Sequence, residues 1–191
     1  MKKLAFTGLL LAAFLTYSCE QPERTEEETA QETTEATGLA EEDRDFLQET
    51  AKEKMFNIEL ARLAQERAVT EEVREYANNV QTEHQNIHQE LAQFAEQRNV
   101  FLPDSLDEDQ REDLNELAQE EGFDFDEEFM DRMVERNRDA VDRFEDRAEN
   151  TEDEQLRQWA QNTVPALRTQ VETAENVEEA VERQREAQQE S

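Results

Sequence analysis

From Asp45 onward the apolar residues return every third or fourth position, the period of one helix face rather than the alternation of a strand. A first helix is predicted from about Asp43 to Ala68, with Phe46, Leu47, Ala51, Met55, Ile58, Ala61 and Ala64 on its inner side. A second begins at Thr70, a good N-cap, followed by Glu71 and Glu72, which suit the positive end of a helix dipole. Its apolar seam passes through Val73, Ala77, Val80, His84, Ile87, Leu91 and Phe94, steps of four and three without a break. Asn99 to Leu106, holding Pro103, reads as a loop, and Asp107 to Gln119 as a short helix carrying Leu114 and Leu117 and ended by Gly122.

A third long helix is predicted from about Asp124 to Glu149, with Phe125, Phe129, Met133, Asn137, Ala140, Val141, Phe144 and Ala148 inward. Asn150 breaks it, and Thr151 with Glu154 has the spacing of a capping box for a fourth helix. That helix carries Leu156, Ala160, Thr163, Leu167, Gln170, Ala174, Val177 and Val181, with a kink expected at Pro165, where a backbone donor is lost. Beyond about Val181 the chain turns polar, so fraying and a polar tail over 183–191 are expected. The pattern therefore predicts an all-α domain over 43–182, a four-helix bundle with a short extra helix in its one long connection.

Upstream the pattern changes twice. Lys2 and Lys3 precede an apolar run from Leu4 to Tyr17, followed by Ser18, Cys19 and a charged stretch, the order of a secretory signal over 1–18. As a helix that run would rise only about 21 Å, short of the roughly 30 Å hydrocarbon core. A cysteine directly after a small residue at this point resembles a bacterial lipobox, in which the thiol is acylated before cleavage. Thr16 and Tyr17 depart from the usual residues, so the match is to a relaxed form, and an ordinary signal cut nearby would leave Cys19 incidental. Cys19 is the only cysteine, so the chain can form no internal disulfide. Several acyl chains suffice for durable membrane attachment. From Cys19 to Glu42 the sequence is mostly Glu, Thr, Gln and Ala, with too little apolar surface to offset chain entropy, and reads as a disordered acidic tether.

Charge narrows the partners. The chain has 51 acidic against 20 basic residues, a net charge of −31, and loss of Lys2 and Lys3 with the leader makes it more negative still. Such a surface repels nucleic acid and anionic headgroups, so no nucleic-acid partner is expected. High acid, little lysine and few bulky aliphatics suit high salt, where counterions screen self-repulsion. Loose collection of Ca²⁺ or Mg²⁺ by that surface is the competing reading. Three glycines and three prolines in 191 residues leave too little turn chemistry for a sheet-rich domain.

Each long helix sets a polar residue on or beside its seam: Asn57, His84, Asn137 and Gln170. Buried without partners such groups cost about 1–3 kcal/mol each, so the four are expected to meet one another or water. A polar layer in a bundle core is also where ferritin-like proteins hold metals, using carboxylates and Glu-x-x-His pairs. Here Gln81 precedes His84 by three and Gln85 precedes His88 by three, so neither histidine has that glutamate. His84-Gln85-Asn86-Ile87-His88 likewise lacks the glutamate base of a zinc protease, since Gln85 stands in its place. A metal reading is left with His84, His88, Glu59 and Glu83; a hydrogen-bonded structural layer is the simpler one. No Ser/His/Asp set or phosphate-binding glycine loop occurs, so neither an enzyme nor a bound cofactor is expected.

Met55 to Ala64 (MFNIELARLA), Glu83-His84 with Glu90-Leu91, Leu102-Pro103, Phe125-Asp126 with Phe129-Met130, and Val164-Pro165 with Leu167 together carry a resemblance. The stretch from Phe46 to Ala174 resembles the bacterial envelope family called domain of unknown function 4142. The resemblance implies a ferritin-like four-helix bundle in the periplasm or envelope, with no established activity. It further implies a glutamate at the position of Asn57 and histidines at those of His84, Asn137 and Gln170. Only His84 keeps that identity, and the other three are amides, which keep hydrogen bonding and discard most metal affinity. The expected protein is thus an envelope lipoprotein, anchored through Cys19 and facing the periplasm or exterior, whose bundle is structural, stress-related or partner-binding. The alternative is a ferritin-like metal-binding protein.

Overall fold

The computed structural model describes residues 38–190; the expected leader, Cys19 and most of the tether lie outside them. Five helices form: α1 (Glu41–Arg67), α2 (Glu71–Gln97), α3 (Glu108–Leu117), α4 (Phe123–Asn150) and α5 (Glu154–Gln189). No strand occurs among the described residues. α1 with α2 and α4 with α5 make two closely packed hairpins; α1 lies against α4 and α2 against α5, while α3 rests on α1 and α4. This is the ferritin-like arrangement, two hairpins joined by one long connection.

Local signals set the helix ends. The Thr70 hydroxyl accepts from the Val73 amide at 3.4 Å. Asp107 and Gln110 exchange side-chain and backbone hydrogen bonds as a capping box at the start of α3. Gly122, at φ 65°, takes the left-handed conformation that lets α4 follow directly. The capping box expected from Thr151 and Glu154 is not formed. Asp153 caps α5 instead, its Oδ1 accepting from the Leu156 amide at 2.8 Å, because the Thr151 hydroxyl is turned inward to donate to Asp43 Oδ2 at 2.9 Å.

That inward turn belongs to a pattern. Each tight turn between paired helices is held by a buried aspartate from the first helix of the other hairpin. Asp126 of α4 accepts from the Val69 and Thr70 amides at 3.0 and 2.8 Å. Asp43 of α1 accepts from Arg147 Nη1 at 2.9 Å as well as from Thr151. The start of α1 therefore meets the end of α4, and the start of α4 meets the turn between α1 and α2. This fixes the order up, down, down, up.

The helix α5 runs through Pro165 without a break and does not fray at Val181. Val181 is fully buried, and Arg185 pairs with Asp124 at 2.8 Å and with Glu127, so the polar end is held against α4. The apolar core falls into two halves. One, near the start of α1, centres on Phe46, Phe144 and Leu156, with Phe46 and Trp159 packed around Phe144 at ring distances of 5.0 and 5.2 Å. The other centres on Phe56, Phe125, Phe129 and Met133, with Leu117 of α3 inserted. A polar band lies between them.

Candidate functional site

The band starts from the buried seam of α1. Leu47, Thr50, Lys54, Asn57, Ala61, Ala64 and Ala68 are all buried, and they step alternately three and four residues. The middle of that seam is polar, and one member is a lysine whose side chain is 1% exposed. Burial lowers the Lys54 ammonium pKa to about 8, the charges of Glu53 and Glu83 acting against the shift and that of Arg143 with it. Among the described residues no carboxylate stands within ion-pair distance of Lys54. Glu53 pairs with Arg143 at 2.5 Å instead.

Opposite, α2 supplies His84, also 1% exposed. Burial, and then the charge of Lys54, hold its imidazole well below the usual histidine range, so it is neutral at pH 7. Neither ring nitrogen has a hydrogen-bond partner in the protein, nor has Asn57 Oδ1 or Thr50 Oγ1. On the other side of the band Asn137 Nδ2 donates to the Tyr76 hydroxyl at 3.1 Å and to the Gln170 carbonyl at 3.4 Å. Burial raises the Tyr76 phenol well above its ordinary value, partly offset by the Asn137 contact. Gln170 Nε2 donates to Glu83 Oε2 at 2.8 Å, bridging α5 to α2. That bridge lies in a cleft of about 500 Å³, also lined by Tyr76, Asn79, Thr169 and Thr173.

Of the four residues expected to form the polar layer, Asn57, His84 and Asn137 are buried and Gln170 is half-buried. They do not close on one another. Asn137 and Gln170 meet, but through the Gln170 backbone, and Tyr76 and Glu83 take the remaining amide donors. Lys54, Thr50 and Tyr76 belong to the same band and were not singled out from sequence. Extending the step of three and four back from Asn57 lands on Lys54 and Thr50, which is the signal that finds them.

The residues of the metal reading are divided. His84 faces the core beside Lys54, and Glu83 is held by Gln170. Glu59 pairs with Arg62 and shares with His88 a separate cleft of about 480 Å³, also lined by Arg111. No group of three or more His, Cys, Asp or Glu suited to a metal occurs among the described residues. The band has no buried carboxylate, and its ammonium repels a cation, so these residues do not fit a ferritin-type metal.

The family model for the domain of unknown function DUF4142 matches residues 28–177. The chain belongs to this family. The match agrees with the resemblance carried by the sequence motifs and extends further upstream, and the family's description assigns no activity. Among solved structures, the crystal structure of a DUF305 fragment from Deinococcus radiodurans is similar, with a TM-score of 0.65 and 14% identity over 74% of this chain and 98% of that one. At that identity the likeness speaks for the helical fold alone. No curated protein matches the chain.

Proposed function

We propose that the protein is a lipid-anchored, non-enzymatic bundle of the bacterial envelope, facing the periplasm or exterior, with a structural or partner-binding role. The observation that carries this reading is the order Lys2-Lys3, apolar run, Ser18-Cys19, with the one cysteine of the chain at the end of the run. No helix among the described residues is long and apolar enough to cross a membrane, so attachment in this reading rests on Cys19. The acidic stretch after Cys19 serves as a spacer, and Leu39, already buried in the core, marks where the spacer gives way to the bundle. A non-enzymatic role is favoured because the two chemically distinctive side chains of the band, Lys54 and His84, are enclosed where a substrate in solvent does not touch them.

The test is expression in a lipoprotein-processing bacterium, followed by mass spectrometry of the mature N-terminal peptide. A diacylglyceryl-modified Cys19 at the mature N-terminus is expected, and Cys19→Ala should move the protein out of the detergent-extracted membrane fraction. A mature start elsewhere, or an unmodified Cys19, overturns the reading. Elemental analysis of the same preparation decides the metal alternative: stoichiometric iron, manganese, zinc or copper lost on His84→Ala would establish it.

A further inference from the structure

The polar band contains more hydrogen-bonding capacity than the protein uses, and all of it surrounds one positive charge. Lys54 is enclosed in the bundle with no carboxylate in ion-pair contact among the described residues. Its nearest acidic neighbour in sequence, Glu53, is taken by Arg143 at 2.5 Å, and Glu83 is taken by Gln170 at 2.8 Å. Thr50 and Asn57 lie one turn to either side of Lys54 on the buried seam, and His84 is close enough for the Lys54 charge to depress its basicity. Thr50 Oγ1, Asn57 Oδ1 and both His84 nitrogens are buried without a protein partner.

Two of those residues share a chemistry. A threonine hydroxyl donates, and a neutral imidazole donates from one nitrogen. With the ammonium they make a set of donors around a net positive centre. A buried unpaired charge is costly, and an opposite charge held in the same low-dielectric interior offsets it. A metal cation fails this test, and a divalent anion brings more charge than one ammonium balances.

We propose that the middle of the bundle is a binding site for one small monovalent anion, of the halide or formate kind, held by Lys54 with Thr50 and His84. The site is independent of the lipid anchor: it stands or falls whether or not Cys19 is acylated.

The experiment uses the full-length protein in detergent. Thermal unfolding is followed while gluconate, a much bulkier monovalent anion, is replaced by chloride, bromide or formate at constant sodium and constant ionic strength, so that screening of the acidic surface stays fixed. A saturable rise in Tm is expected, shared by the halides and formate or confined to one of the two classes, which identifies the ligand. Lys54→Met should remove the anion dependence while leaving a folded bundle. Thr50→Val, which deletes one donor, should weaken the half-saturating concentration by about threefold to tenfold. In crystals grown in bromide, an anomalous peak beside the Lys54 ammonium is expected. An unchanged anion dependence in Lys54→Met, or water alone beside Lys54 at saturating bromide, overturns the proposal.

Discussion

Two of the places where this bundle buries charge are built differently. At the turn between α4 and α5, Asp43 is 2% exposed, and its two oxygens are matched by Arg147 and the Thr151 hydroxyl at 2.9 Å each. Midway along the bundle Lys54 is as deeply buried but meets no carboxylate among the described residues, and Thr50 Oγ1, Asn57 Oδ1 and both His84 nitrogens have no protein partner. The first set is a fastener: charge was brought inside together with what neutralises it. The second is left open in a molecule that elsewhere completes its buried charges, as Asp126 also shows at the other turn. The difference separates polar residues that hold the fold from polar residues the fold holds in place.

The largest effect should come from breaking the fastener. Asp43→Ala leaves the buried Arg147 guanidinium with only the exposed Asp146 carboxylate at 3.8 Å and is expected to cost about 3–5 kcal/mol, read from urea unfolding. A loss below about 1 kcal/mol would erase the distinction between the two sets.

Lys54→Met should act in the opposite direction. In buffer poor in small anions it removes a desolvated charge and is expected to stabilise by about 1–3 kcal/mol. The sign carries a pH signature. Lys54 takes up its proton near pH 8 in the folded chain, against 10.5 for a free lysine. Across that interval the unfolded chain binds more protons, so wild-type stability rises with pH and falls again as pH drops toward 8. The advantage of Lys54→Met should therefore be full below about pH 8 and vanish above about 10.5; an advantage that is flat across this range would deny that Lys54 is charged in the fold. A smaller change is expected of Thr70→Ala. It removes the α2 cap but leaves Asp126 on the Val69 and Thr70 amides, so the loss should stay near 1 kcal/mol in the same urea assay. A loss several times larger would mean that Asp126 does not hold that turn by itself.

The helices were legible because their seams are regular. α2 reads as an unbroken alternation from Val73 to Phe94, and α3 announces itself between Pro103 and Gly122. The phase of α1 is harder to read, since the apolar pattern puts Met55 inward, and Met55 is half-buried while the residue before it is enclosed. Lysine is almost never fully buried unpaired, so residue type argued against what the spacing allowed. Asp43 and Asp126 were hidden for another reason. In sequence each is an acidic residue in the first turn of a helix, explained by the helix dipole. Their partners lie 104 and 56 residues away and are known only once the hairpins dock. The same docking redirected Thr151 from the cap that its spacing with Glu154 suggests.

The position of the polar band has a consequence for alignment. Helices with a seven-residue repeat can slide along one another by one repeat, about 10.5 Å, and meet apolar neighbours again. Here such a slip would set the level of Lys54 against Ala77 or Leu91 in place of His84, pressing an ammonium into hydrocarbon and stranding the imidazole elsewhere. The band thus serves as an index mark, giving two otherwise repetitive hairpins one favoured way to lie together.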